Sequence, residues 1–512
     1  MTTRTDRPVT APVSTVDEPR PSRRDWIGLG VLATALAMIV LDGTIVGVAL
    51  PVIMGDLRLS LTTAQWVNSL YSVVFAALLL TAGRLGDRLG RRALLIAGVG
   101  IFVVGSVVAV LAPGATALLA ARAVQGVGGA LILPSTLSTV NATFRRRDRA
   151  AAFGVWGAVM SGAAAIGPLL GGWLTTAANW RWIFWVNVPI GVAVVAAAVV
   201  VVRESTGEGE GESAGRRASR RGFDLAGPVL SAVGFASLVF GLIEGNDLGW
   251  WAPKAALDLG LVNWGTGAPI SAVPVSLAIG VIALVAFVLD QVRRERADRP
   301  RVLEVSLFSL PTFAWGNLTA GLVAAGEFAL VFVLPLYLVT SLQLSTMGAG
   351  LVLAAMAAGA FVSGALARHL SAALGATRVV VLGLALELAG VALTALAVNG
   401  EAHQWWVAAA LLPYGLGLGL ASAQLTSTVL ADVPVETSGT GSAVQSTVRQ
   451  VGSALGSAIG GTALSMALGS ATVGRASAAD FAHASSAAVW VSGGVLALGL
   501  VAAVQVMRAA DR

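Results

Sequence analysis

The stretch GRLGDRLGRR, Gly83 to Arg92, carries five charges in ten residues, yet long apolar stretches flank it on both sides. Those flanks, 64–83 and 93–112, have the length a helix needs to cross a hydrocarbon core of about 30 Å. A loop this short between two such helices requires a tight turn, which its glycines, Gly83 and Gly90 among them, permit. Asp87, set among Arg84, Arg88, Arg91 and Arg92, offers ion pairs that can form in one conformation and break in another. The same residues equally suit a solvated turn whose arginines mark the cytoplasmic side of a membrane.

This alternation of apolar stretch and charged loop runs through the rest of the chain. Of 512 residues, 56% are hydrophobic and only 12% charged, against about a quarter charged in soluble domains. A soluble globular fold is therefore excluded, and the lipid bilayer is the solvent. Stretches of spanning length fall at roughly 26–49, 64–83, 93–112, 116–139, 150–174, 182–202, 224–243, 272–290, 312–339, 347–367, 378–398, 405–430, 440–466 and 485–507, which predicts about fourteen helices. Cysteine is absent, which rules out disulfides, thiolate metal sites and cysteine nucleophiles. His369, His403 and His483 lie far apart, so no metal site is expected and no cofactor is implied. The net charge of +6 does not point to nucleic acid, because the arginines sit in short runs between apolar spans instead of forming one patch.

Those runs give the topology. Arg84 to Arg92, Arg145 to Arg149, Arg216 to Arg221 and Arg293 to Arg301 fall in alternate loops, so the positive-inside bias puts both termini in the cytoplasm of a multi-pass cell-membrane protein. Residues 1–25 are polar, lack the apolar core of a signal peptide and read as a disordered tail. The segment 203–223, rich in charge, Gly and Ser, cannot bury a core and reads as a linker. It divides a front bundle of six helices, 26–202, from a remainder of eight. A weak internal repeat organises that remainder: Asp42 lies fifteen residues before Leu57 of LRLS, and Glu327 fifteen before Leu342 of LQLS. Leu50-Pro51 and Leu334-Pro335 correspond, and Gly364 to Arg378 is a degraded copy of the Gly83 to Arg92 loop. Span nine therefore answers span one. Residues 224–311 become an added two-helix hairpin and 312–512 a second six-helix bundle, an all-α integral membrane architecture with parallel repeats.

The Gly83 to Arg92 loop resembles the signature of the major facilitator superfamily, Gly-x-Leu-x-Asp-Arg-x-Gly-Arg-Arg/Lys between the second and third helices. Further segments resemble the fourteen-helix drug:proton antiporter family within it. LDGTIVGVALP (Leu41 to Pro51) is similar to its first-helix motif, with Gly47 in place of the usual Asn, and ARAVQGVGGALILP (Ala121 to Pro134) to its fourth-helix motif. GAVMSGAAAIGPLLGG (Gly157 to Gly172) is similar to its fifth-helix antiporter motif, which includes Gly162, Gly167, Pro168, Gly171 and Gly172. WRWIFWVNVPIG (Trp180 to Gly191) and FDLAG (Phe223 to Gly227) match segments around spans six and seven. The resemblance implies a gating loop of Gly83, Asp87, Arg88, Gly90 and Arg91, whose aspartate helps hold the cytoplasmic side closed.

The residues carry a reading of their own. A charge inside an apolar span costs about 2.5–3.5 kcal/mol or more unless it is paired, hydrated or neutralised. Asp42 lies nine residues, about 13 Å, inside the Pro51 end of span one, and Arg122 lies at similar depth in span four. The two are placed to face each other across the front bundle. The guanidinium cannot release its proton and would compete with protonation of Asp42. They are the expected proton-coupling pair, although Asp42 near an interface could also be a helix-end group. Glu327 and Glu387, with Arg449 as a possible partner and Gln125 on span four, are candidates for a substrate or secondary proton site, for counter-ions or for structural hydrogen bonding. The glycines of span five also suit ordinary close packing. Trp405-Trp406 and Trp250-Trp251 read as interfacial anchors.

The expected function is proton-coupled export of small amphipathic or cationic compounds by a transporter acting as a monomer, with protons, substrate and lipid as its partners. One alternative is an exporter or flippase of a single endogenous lipid or secondary metabolite. A more distant one is a membrane-embedded enzyme, for which no Ser/His pair or metal-ligand spacing speaks. The phosphate-binding loop of an ATP-driven pump is absent too.

Overall fold

A computed structural model describes residues 21–144, 146–204, 224, 226–258, 263–398, 403–434, 437–469 and 476–510. Most of the expected tail and of the 203–223 linker lie outside these residues, as do the side chains of Asp87 and Arg88. Long helices dominate: α1 (Arg23–Leu57), α2 (Leu61–Leu89), α3 (Arg91–Val110), α4 (Ala115–Thr143), α5 (Arg146–Ala177) and α6 (Trp182–Val201, interrupted at Val186) come first. Then follow α7 (Ala226–Leu248) and α8 (Ala272–Arg296), joined through a two-residue antiparallel pair, β1 (Leu257–Asp258) and β2 (Asn263–Trp264). The chain ends with α9 (Pro311–Thr340), α10 (Thr346–Leu374), α11 (Ala376–Ala397), α12 (Gln404–Val429), α13 (Ser438–Leu468) and α14 (Ala478–Ala510). Among the described residues, 12 helices are long and apolar enough to cross a membrane. The helices α2 and α5 are 29 and 32 residues long.

Local chemistry sets the ends. Ser22 and Asp25 form a reciprocal capping box, so α1 begins at Arg23, slightly before the expected boundary at residue 26. The helix α8 runs on to Arg296, past the expected end near residue 290, with Arg293, Arg294 and Arg296 in a last turn where cations meet the negative helix end.

The repeat seen in the sequence is written into the backbone. Arg58 and Gln343, both left-handed with φ of 52° and 51°, end α1 and the turn after α9. Ser60 and Ser345 then cap α2 and α10 through their hydroxyls. Gly90 and Gly375, with φ of 101° and 86°, make the α2–α3 and α10–α11 turns, where a side chain would be strained. Each second member lies 285 residues after the first, as Glu327 does after Asp42. Helix packing follows the same rule: α3 on α4, α2 on α4 and α1 on α5 in one bundle answer α11 on α12, α10 on α12 and α9 on α13 in the other.

The bundles meet chiefly through α5 against α10 and α2 against α13. Gln65 Nε2 donates to the Ala458 carbonyl (3.0 Å), Ser69 Oγ to the Ala454 carbonyl (3.3 Å), and the Ser72 and Ser453 hydroxyls lie 3.1 Å apart. A Cβ on Gly172 would lie 2.8 Å from the Thr346 carbonyl oxygen, and one on Gly350 2.6 Å from that of Pro168. All these contacts lie in the half of the molecule that holds the α1–α2 and α9–α10 turns. That face is closed.

The hairpin α7–α8 attaches along the same seam. From α7, Glu244 accepts from Trp66 Nε1 (2.8 Å) and Asp247 from Thr62 Oγ1 (2.7 Å), both on α2. Toward α13, Asn246 Nδ2 donates to the Thr462 carbonyl (3.3 Å) and Thr462 Oγ1 to the Leu242 carbonyl (2.8 Å). Trp251, Trp405 and Trp406 are exposed at helix ends, whereas Trp250 donates to Asn246.

Candidate functional site

Asp42, midway along α1, is 1% exposed, and Arg122 of α4 is buried to the same degree. The guanidinium donates from Nη1 to Asp42 Oδ2. Asp42 Oδ1 accepts from Gln125 Nε2 (2.9 Å) and from Asn187 Nδ2 (3.1 Å). Gln125 and Asn187 both also donate to Ser106 Oγ on α3, at 3.0 and 3.3 Å. Arg122 is itself held: Nη1 donates to Gln125 Oε1 (2.9 Å), Nε to the Val67 carbonyl (3.0 Å), and the group lies 4.4 Å above the centre of the Tyr71 ring. Five helices, α1, α2, α3, α4 and α6, thus converge on one carboxylate. Both of its oxygens are occupied by donors, the arrangement that offsets the cost of a buried negative charge.

Small residues make this convergence possible. A Cβ on Gly105 would lie 2.9 Å from the Gln125 backbone nitrogen, and one on Gly128 2.6 Å from that of Phe102, so α3 and α4 touch backbone to backbone. On α5, Gly167 lies against Thr44 and Gly171 against Ile45 of α1, Gly172 faces α10, Pro168 lies within the helix, and Gly162 has open space beside it. Gly167, Gly171 and Gly172 thus fit α5 closely to α1 and α10.

The structure brings Asp42 and Arg122 together and adds Gln125 to them. Gln125, grouped in the sequence with Glu327 and Glu387, belongs with Asp42 because α4 turns it onto the same face as Arg122, three residues before. Sequence reasoning missed Asn187, Ser106 and Tyr71. The signal for Asn187 was an amide inside the apolar run WVNVPIG, and such a group in lipid must find a partner.

In the second bundle Glu387 of α11 is 0% exposed and Glu327 of α9 is 6% exposed. Arg449 of α13, half-buried, lies within electrostatic range of both. Neither Glu387 oxygen has a hydrogen-bond partner, and Oε1 of Glu327 has none either. Tyr414 of α12, fully buried with an unpartnered hydroxyl, lies within the same range of both acids.

The expected loop is helical through Leu89, because only Gly90 is needed to turn the chain: Gly83 lies within α2 against Pro134, and Gly90 and the half-buried Arg91 lie where α3 begins. Glu204, after α6, accepts from the backbone nitrogens of Arg92 (3.0 Å) and Ala93 (3.2 Å), placing a carboxylate on the positive end of α3. No sequence signal marked Glu204. Among the described residues there is no cluster able to hold a metal ion.

Residues 32–457 match the model of the Major Facilitator Superfamily. The chain belongs to this superfamily. One relative, the "Probable actinorhodin transporter" of Streptomyces coelicolor, is 33% identical over 470 residues, 90% of this chain and 76% of the relative. The "Multidrug efflux pump LfrA" of Mycolicibacterium smegmatis is 32% identical over 447 residues, 86% of this chain and 81% of that one. Among solved structures, a bacterial homologue of the human lysosomal transporter Spinster, inward-facing and occupied, superposes with a TM-score of 0.61 at 15% identity, over 95% of this chain and 97% of the other. That likeness concerns the fold alone.

Proposed function

We propose that the protein is a proton-coupled antiporter that exports small amphipathic or cationic compounds, drugs and antibiotics among them, across the cell membrane by alternating access. The buried node of Asp42, Arg122, Gln125 and Asn187 carries this reading. A carboxyl group that costly to bury is kept for a purpose, and relatives named as a multidrug efflux pump and as a tetracenomycin C resistance and export protein supply the substrate class. The arginine-rich loops favour a topology with the α2–α3 face and both termini in the cytoplasm and fourteen spans between. The closed α1–α2 face is then the outer one, and the present conformation is shut to the outside.

Helix α2 supplies the coupling. Its residues Gln65, Ser69 and Ser72 bond the outer seam to α13, and its residues Val67 and Tyr71 hold Arg122. Opening the seam moves α2 and so loosens the cation paired with Asp42. Exposed to a more acidic exterior, Asp42 takes a proton; on closure Arg122 returns and the proton leaves to the cytoplasm. Asp87, in the last turn of α2, serves the inner gate.

Substitution Asp42→Asn keeps size and removes titration. In vesicles with an imposed pH gradient and a panel of cationic and neutral drugs, the variant is expected to insert and bind but not to drive uphill efflux or take up protons. Pumping at the parental rate overturns the assignment. The name of the S. coelicolor relative, which specifies one compound, favours a narrower second reading: export of a single secondary product. Activity toward one member of the panel alone would select it.

A further inference from the structure

The second bundle has an acid where the first has one, but not the same surroundings. Glu327 stands 285 residues after Asp42, in a repeat whose turns and caps keep register, so it occupies the matching place on α9. The helix that gives Asp42 its arginine, α4, is answered by α12, which offers Tyr414 instead. A second acid, Glu387, enters from α11, and its helix is packed so tightly on α12 that a Cβ on Gly417 would lie 2.9 Å from Glu387 Cγ. Glu387 is eleven residues, about 16 Å, from the start of its helix and ten from the end, hence near the bilayer midplane.

We propose that Glu327 and Glu387 form a second proton-binding site, with Glu387 holding a proton in the present conformation. This rests on the proton-coupled reading above. Asp42 is ringed by donors, whereas both oxygens of Glu387 have none. A carboxylate without partners in an apolar interior is far more costly than the neutral acid, which gives up only its hydrogen bonds to water. The wall around Glu387 leaves no room for an organic ammonium group, so the ligand is a proton. Glu327, with its slight exposure, and the half-buried Arg449 both lie within electrostatic range of it. Apart from Asp42 of α1, whose oxygens its own donors occupy, the charged groups of the other helices packed on α9 and α11 stand toward helix ends: Arg23, Arg24, Asp25 and Asp56 on α1, Arg368 and His369 on α10, Asp480, His483 and Arg508 on α14. Arg449, Tyr414 and the two acids are therefore the groups that set its protonation.

The consequence is stoichiometric. With Asp42 and the Glu327–Glu387 pair each carrying one proton, export of a monocation moves net charge inward in each cycle and responds to membrane potential. With one site gone, the exchange is electroneutral and the response disappears.

The test uses the purified parent, Asp42→Asn, Glu387→Gln and Glu327→Gln, with ethidium as the monocationic probe in vesicles of controlled pH and potential. Infrared spectra of the same proteins at neutral pH read the carbonyl band of protonated carboxylic acids. The expected result is a proton-to-ethidium ratio that falls twofold in Glu387→Gln, loss of the potential response, and an acid band that survives Asp42→Asn and vanishes in Glu387→Gln. An unchanged ratio, or a band that Glu387→Gln leaves intact, overturns the second site. If the parent moves ethidium without protons, the coupling reading fails, and the band alone still decides whether Glu387 is protonated. Should Glu387→Gln not fold, Glu327→Gln breaks the same pair, and a parental ratio in it overturns the proposal.

Discussion

Arg122 is the residue whose removal separates a charge pair from a hydrogen-bonded network. It donates to Asp42, Gln125 and the Val67 carbonyl while stacking on Tyr71. Arg122→Gln leaves Asp42 buried without its counter-ion, which in proteins generally costs about 3–5 kcal/mol. Adding Asp42→Asn removes the stranded charge, so the double variant is expected to recover most of that loss. Thermal unfolding of the purified single and double variants measures the difference, and strictly additive losses would contradict the pairing. Arg122→Lys keeps the charge but not the fork or the stacking surface, and should fall between. The Asp42–Arg122 meeting was legible in the sequence because two opposite charges sat at equal depth in apolar spans. Asn187 and Ser106 were not, since an uncharged polar group costs too little to stand out and reveals its partner only when helices are packed.

Single helices read more clearly than their neighbours. The correspondence of α1 with α9 was legible because LRLS and LQLS follow an interior acid at equal spacing, and both segments end in a left-handed residue followed by a serine cap. Which helix packs on which was not written in the apolar stretches, which face lipid and protein with similar side chains. The glycines of α5 illustrate this: sequence offered a transport motif and plain packing alike, and the structure divides them by partner. Gly167 and Gly171 serve packing within the first bundle, and Gly172 meets α10 of the second. Gly172→Val therefore spares the fold of each bundle and obstructs the closed face. Overpacking of this kind costs about 1–3 kcal/mol, which shifts a two-state balance about 5- to 150-fold. The chain has no cysteine, so Ser69→Cys in the seam reports without background. Its labelling by a membrane-impermeant maleimide is expected to rise within that range when Gly172→Val is added. Unchanged labelling would mean that α5 and α10 do not form the gate.

At the scale of the whole molecule, the α7–α8 hairpin is bonded to both bundles across the seam that alternating access must open, so it has to release one of them. The bonds to α13 run to the main-chain carbonyls of Thr462 and Leu242, within the apolar part of the seam. A carbonyl there has no water to turn to when its donor leaves. Of the two bonds to α2, that of Thr62 with Asp247 lies at the exposed end of the helix, where water replaces a lost partner at little cost, and that of Trp66 with Glu244 joins side chains only and strands no main-chain carbonyl. The hairpin should accordingly travel with the second bundle and part from α2 as the outer face opens. Two pairs of introduced cysteines separate the possibilities. Thr62→Cys with Asp247→Cys, joined by a short thiol crosslinker, ties α7 to α2 and is expected to abolish ethidium transport until the link is cleaved. Asn246→Cys with Thr462→Cys, joined in the same way, ties α7 to α13 and should leave transport near the rate of the unlinked protein. The reverse pattern would assign the hairpin to the first bundle, and arrest by both links would show that it must shift against each bundle in every cycle.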